Sequence, residues 1–195
     1  MQLQFKYNKV SLQEIEKGLR IRQAALPTIR AKESALRNEV KRLKQEMQNN
    51  QARLETELAR YAVYHPLWAE WNQNLLKVKN INTKTGKFAG VSFPVFESVT
   101  YEPVSFTFFN QPLWFLHGQV ILQRLIENKA ALHITTQQIA ILEAERKKTT
   151  QKLNLYEKVQ IPQHEEAIRK IKRYLEDEEH LSKAAQKLIK TKKEM

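Results

Sequence analysis

Thr85-Gly86-Lys87 is a stretch whose residue types could bind phosphate, but its surroundings do not suit that chemistry. A phosphate-binding loop needs a glycine five residues before its second glycine and a Ser or Thr directly after the lysine. This chain has Ile81 and Phe88 at those two positions. We therefore interpret Lys84 to Lys87 as the turn of a β-hairpin.

His164-Glu165-Glu166 could belong to a helical zinc site, but such a site needs a second histidine four residues after the first. Ile168 stands there. The five histidines are scattered and cysteine is absent, which excludes disulfides and thiolate metal sites. Carboxylates on helix surfaces most often pair with nearby Lys or Arg. The sequence therefore predicts no catalytic, cofactor-binding or metal site, and hence a protein that is not an enzyme.

The first third of the chain is typical of a long coiled-coil helix. Ser11 and Glu14 have the spacing of a capping box, and apolar residues then recur at alternating spacings of four and three as far as Tyr61. A strict 3.5-residue repeat keeps its apolar stripe buried only by supercoiling around a partner helix. This stripe, the first seam, contains Ile15, Leu19, Leu26, Ile29, Leu36, Val40, Leu43 and Met47.

A second repeat runs from Ile121 to Tyr156 and resumes after Pro162 with a shifted phase. Such a shift locally unwinds a coiled coil, and Pro162 and Pro27 each remove a helical N–H, so we expect a bend at both prolines. The two repeats have similar lengths, which favours pairing within one chain. The second seam contains Leu132, Ile139, Leu142, Leu153, Ile168, Ile171 and Leu175.

The middle of the chain has a different composition, with all three tryptophans and most of the phenylalanines. Residues 78–83 and 88–101 have strand character, and Pro94 favours an edge position because it cannot donate to a ladder. We predict an all-α dominated fold: a long antiparallel coiled coil of the N- and C-terminal helices, residues 1–62 and 117–195, with short helices and a hairpin at about 76–101 in a distal region, residues 63–116.

Composition leaves several functional classes open. The net charge of +12 is compatible with a coiled coil that binds nucleic acid or ribosomes, although acidic and basic residues alternate along the helices instead of segregating. A homodimeric tethering coil is a further alternative. No apolar run approaches ~18 residues and the N-terminus lacks a secretory signal, so we expect a cytoplasmic location.

Three stretches resemble one family. Residues 148–162 (KTTQKLNLYEKVQIP), residues 25–32 (ALPTIRAK) with Asn8-Lys9 and Leu12 before them, and residues 89–97 (AGVSFPVFE) are similar to the D subunit of V-type, or V/A-type, rotary ATPases. The matches span nearly the whole chain in the expected order.

The resemblance implies a non-catalytic central rotor shaft. The paired terminal helices would enter the hexamer of catalytic A and B subunits, and the other end would sit on the C subunit of the central stalk, beside the F subunit. The complex is peripheral to the membrane and couples ATP hydrolysis or synthesis to ion transport. On this basis we expect the hexamer-facing end to include Lys9, Lys183, Lys187 and Lys190, and the hairpin to contact a partner protein of the complex through Val91, Phe93, Val95 and Phe96.

Overall fold

The computed structural model describes residues 4–103 and 112–193, and these residues are dominated by helices, as predicted. Helix α1 spans Lys9–Ala62, α2 spans His65–Ala69, and a 3₁₀ turn covers Gln73–Leu75. Helix α3 spans Trp114–Leu155, a π-helical turn follows at Tyr156–Gln160, and α4 spans Ile161–Lys193. No helix in the described part of the chain is long and apolar enough to cross a membrane.

Helix α1 begins earlier than its sequence indicated. Asn8, not Ser11, is the capping residue, because its Oδ1 accepts a hydrogen bond from the Ser11 backbone N–H at 2.7 Å. The Ser11 hydroxyl instead accepts from the Lys6 N–H at 3.3 Å. Pro27 lies inside α1, and the helix continues through it without a break.

Two antiparallel strands, β1 (Val78–Phe88) and β2 (Val91–Tyr101), form the hairpin. Its turn is at Ala89-Gly90, so the prediction of a turn at 84–87 was wrong. Both turn residues have positive φ, 48° and 79°, which suits a two-residue hairpin connection. Gly86 lies within β1, where the lack of a side chain leaves room for two residues of β2. A Cβ there would come within 2.7 Å of Val95 and 2.9 Å of Phe93.

The chain divides into two compact units. The first unit contains residues 1–33 and 148–195, and the second contains residues 34–147. Each unit includes part of α1 and a returning segment of chain, and each has its own buried apolar cluster.

Candidate functional site

The paired helices of the second unit bury an apolar cluster of Leu36, Val40 and Leu43 from α1 with Ile139 and Leu142 from α3. Leu36 and Leu142 are 0% exposed. The polar contacts give the direction of pairing: Lys44 bonds Glu143 at 2.6 Å, and Glu57 accepts from Asn128 at 3.4 Å. Higher numbers in α1 face lower numbers in α3, so the two helices run antiparallel.

The Lys44–Glu143 ion pair flanks this cluster on the surface. The hydrogen bond from Lys44, helped by its positive charge, lowers the pKa of Glu143 below the ordinary value of 4.5. Both side chains remain partly exposed, so solvent screens the attraction and its contribution to stability is small.

The hairpin packs against the same cluster. Phe88, Val91 and Phe93 contact it, and the Gln138 side chain of α3 donates to the Pro94 carbonyl at 2.7 Å. Of the four hairpin residues expected to bind a partner, the structure therefore packs Val91 and Phe93 against the chain's own helices, while Val95 and Phe96 are half-buried. Gln138 is buried, and nothing in the seam pattern marked it.

A second contact holds the other end of the hairpin. The Tyr101 hydroxyl donates to the Gln123 carbonyl of α3 at 3.1 Å. Burial, assisted by the charge of Glu127, raises the pKa of Tyr101 above its ordinary value. A tyrosine hydroxyl is protonated at neutral pH in any case, so it acts here as a hydrogen-bond donor.

An aromatic cluster in the second unit joins α2 and the chain after it to the start of α3. Trp114 lies 4.7 Å from Phe115 and 5.5 Å from Trp68, measured between ring centroids. Trp71 lies 5.2 Å from Phe115. Large apolar side chains nearby in sequence are exposed: Val63, Tyr64, Leu67, Leu113, Leu116 and Val120.

The paired helices of the first unit bury a smaller apolar cluster. It consists of Ile15 from α1 with Ala167 and Ile171 from α4. Glu16 accepts from Lys172 at 2.9 Å, so this pairing is also close to a charged contact at the surface.

A further part of this helix pair, residues 18–33 of α1 with residues 149–164, buries polar side chains, and we call it the polar segment. Its buried side chains are Glu33, Thr149 and His164. Thr150 donates to Glu33 at 3.2 Å, and Arg30 donates to Glu157 at 2.7 Å. The seam residues of the segment are only half-buried: Leu19, Leu26, Ile29 and Leu153.

The end of α4 carries an apolar row with no cover in the described structure. Every side chain from 176 to 192 is exposed, including Leu181 at 72% and Leu188 at 69%. All four lysines expected at the hexamer-facing end, Lys9, Lys183, Lys187 and Lys190, are exposed. Lys183 bonds Glu179 at 2.6 Å and, with the charges of His180 and Lys9, lowers the pKa of Glu179.

The sequence is similar to one protein family over nearly its whole length. The sequence model of the ATP synthase D-subunit family matches residues 11–191. The D subunit of the V-type ATP synthase of Borreliella burgdorferi is 28% identical, over 95% of this chain and 93% of the relative. The protein of the same name from Chlamydia pneumoniae is 25% identical, over 100% of this chain and 96% of the relative.

Proposed function

Because the chain belongs to the family of ATP synthase D subunits, we propose that it is the central-stalk rotor of a V/A-type rotary ATPase. In this role it is a non-catalytic component that transmits torque between the catalytic hexamer and the membrane ring that moves ions. The nucleotide chemistry then belongs to the A and B subunits.

The antiparallel pairing of α1 with the returning helices is the observation that supports this proposal best. A paired coil resists bending and twisting better than a single helix, and torque transmission requires such stiffness. Ion pairs join α1 to the returning chain in both units, at Lys44–Glu143 and at Glu16–Lys172. Paired helices of one chain also argue against the homodimeric tethering coil, in which the partner would be a second copy.

We assign the hexamer-facing end to the last turns of α4 together with the start of α1. Lys9, Lys183, Lys187 and Lys190 are exposed there beside the uncovered leucines. A rotor inside a ring of subunits must turn without binding tightly at any one angle. Small side chains such as Ala184 and Ala185 between the lysines suit such a contact.

We assign the contact with the F subunit to the hairpin, through Val95 and Phe96, with Val91 and Phe93 holding the hairpin on the helices. The contact with the C subunit is assigned to the aromatic cluster and the exposed apolar side chains close to it in sequence. A partner that turns with the shaft can bury such apolar area permanently. The proposal places the chain at the membrane only through the complex, on the cytoplasmic side, and gives it no nucleic-acid partner.

Truncation tests the assigned polarity. A chain ending at Ser182 should still bind the F subunit in a pull-down, while proton or sodium transport per ATP hydrolysed falls in the reconstituted complex. A chain with Lys183, Lys187 and Lys190 replaced by Gln, at full length, is the matched control for charge alone. If the truncated chain no longer bound the F subunit, the assignment of the two ends would be reversed.

Binding to RNA tests the alternative. A nucleic-acid-associated coiled coil predicts micromolar affinity that falls steeply with added salt. The rotor proposal predicts no binding of a structured RNA at 150 mM salt, about the physiological ionic strength. Tight binding at that salt concentration would favour the alternative.

A further inference from the structure

The π-helical turn Tyr156–Gln160 lies within the polar segment of the first unit and ends two residues before Pro162. The Ile161 N–H bonds the Tyr156 carbonyl, five residues back, so the turn holds one residue more than an α-helical turn. Pro162 has no N–H to continue the ordinary ladder. The wide turn therefore takes up the phase shift between the two parts of the second seam, where the sequence had suggested a bend.

Arg22 of α1 holds the end of this turn. Its Nε donates to the Gln160 side chain at 2.8 Å, and its Nη1 donates to the Gly18 carbonyl one helical turn back, at 2.9 Å. Through these two hydrogen bonds the guanidinium joins Gln160 of the wide turn to the backbone of α1.

His164, in the first turn of α4, also bonds Gln160. Its Nδ1 lies 2.6 Å from the Gln160 carbonyl, and because a carbonyl can only accept, the proton is on Nδ1. His164 is 4% exposed, and its ring lies beside Gly18, where a Cβ would be 3.3 Å from the ring Nε2. Gly18, Arg22, Gln160 and His164 thus form one network of side-chain and backbone contacts around the turn.

The polar segment buries little apolar area. Its buried side chains are polar, and its apolar seam residues are half-buried. Local opening requires least free energy where few apolar contacts are buried. The cluster of Ile15, Ala167 and Ile171 in the same unit is, by contrast, apolar and almost fully buried.

We propose that the polar segment is a compliant joint, meaning a part of the first unit that opens locally at a lower free energy than the apolar cluster. The Arg22–Gln160–His164 network keeps its π-helical turn paired with α1. Releasing the network loosens the turn while the apolar cluster stays paired. This inference concerns the mechanics of the chain and does not depend on the rotor role.

Hydrogen exchange on the full-length chain, followed by mass spectrometry, tests the joint in the unaltered protein. Amides of residues 156–164 should exchange at least about tenfold faster than those of residues 168–175. Similar protection in the two stretches would overturn the proposal.

Four variants then test the network: Arg22→Met, Gln160→Met, both together, and Arg20→Met as the exposed control. Each single change at 22 or 160 should accelerate exchange in 156–164 by about tenfold, because it leaves a part-buried polar group without its partner. The double variant should return towards the unaltered rate, because both polar groups are gone. Arg20→Met should leave the rate unchanged.

Two outcomes would overturn the assigned network. Additive acceleration in the double variant would show that Arg22 and Gln160 act independently. Equal loss of protection in 168–175 would show that these residues hold the whole unit together, and that no separate joint exists.

Discussion

The two compact units differ in what their paired helices bury. The second unit buries leucine, valine and isoleucine from both helices, and the hairpin packs Phe88, Val91 and Phe93 against them. The first unit has one small apolar cluster, while its polar segment buries Glu33, Thr149 and His164. Both helix pairs are built on the same alternating spacing of four and three.

The same alternating spacing therefore does not imply the same stability along the paired helices. Burial of apolar area stabilises at about 25 cal/mol per Å². A buried polar layer contributes little net free energy but can fix the register of pairing, because a mismatched layer leaves polar groups without partners. We therefore expect the second unit to contribute most of the free energy of unfolding. We expect the polar layer of the first unit to fix which residues of the two helices pair, while this helix pair opens more easily.

The largest effect is expected at the centre of the second unit. Leu36→Asp places a carboxylate at a position that is 0% exposed. An unpaired charge there should lower the free energy of unfolding by more than about 4 kcal/mol and unpair the helices. Circular dichroism with urea titration measures the loss. The control is Ile21→Asp, at an exposed position of α1. Unchanged stability of the Leu36 variant would contradict the described core.

A matched pair of leucine truncations compares the units directly. Leu142→Ala should cost about 2–5 kcal/mol, because its site is fully enclosed. Leu153→Ala removes the same atoms from a half-buried position in the polar segment and should lower the free energy of unfolding by about 1–2 kcal/mol. Urea titration of both variants gives the two values. Equal costs would remove the distinction between the units.

The hairpin offers a smaller test of the second unit. Gly86→Ala introduces a Cβ within 3 Å of Val95 and Phe93, which we expect to cost about 1–3 kcal/mol through displacement of those side chains. Thr85→Ala, at the neighbouring exposed position, is the control. Thermal unfolding measures both. A neutral Gly86 variant would show that the hairpin adjusts freely and does not brace the helices.

The smallest expected effect is the ion pair of the second unit. Glu143→Gln should lower the free energy of unfolding by about 0.2–1 kcal/mol at neutral pH. Because the pKa of Glu143 is lowered in the folded chain, its contribution is present above the ordinary value of 4.5 and is lost as the pH falls through the lower folded value. Urea titrations at several pH values measure it. A difference that persists in acid would assign it to packing instead of charge.

Sequence patterns predicted the long helices and the hairpin because each is encoded by a local period. The exact positions of the hairpin turn and of the helix cap were predicted less well, because glycine, asparagine and serine each suit more than one structural role. Gly86 suggested a turn, yet it leaves room for Phe93 and Val95, and the turn falls at Ala89-Gly90. Asn8 and Ser11 both suit a helix cap, and only the backbone geometry distinguishes them.

The polar residues were the hardest to predict. Gln138 and His164 can be buried because they bond the carbonyls of Pro94 and Gln160. These carbonyls are backbone groups, so no spacing of side chains in the sequence identifies them as partners. The phase shift before Pro162 did indicate an irregularity, but not that a π-helical turn would absorb it.

Reversible crosslinking in the assembled complex tests the rotor role most directly. The chain has no cysteine, so Lys187→Cys provides a single attachment point for a photo-crosslinker joined through a cleavable disulfide. If the chain rotates, crosslinking this residue to the surrounding hexamer stops ATP hydrolysis, and reduction of the disulfide restores it. Hydrolysis that continues at the same rate while the crosslink is intact would contradict a rotating shaft.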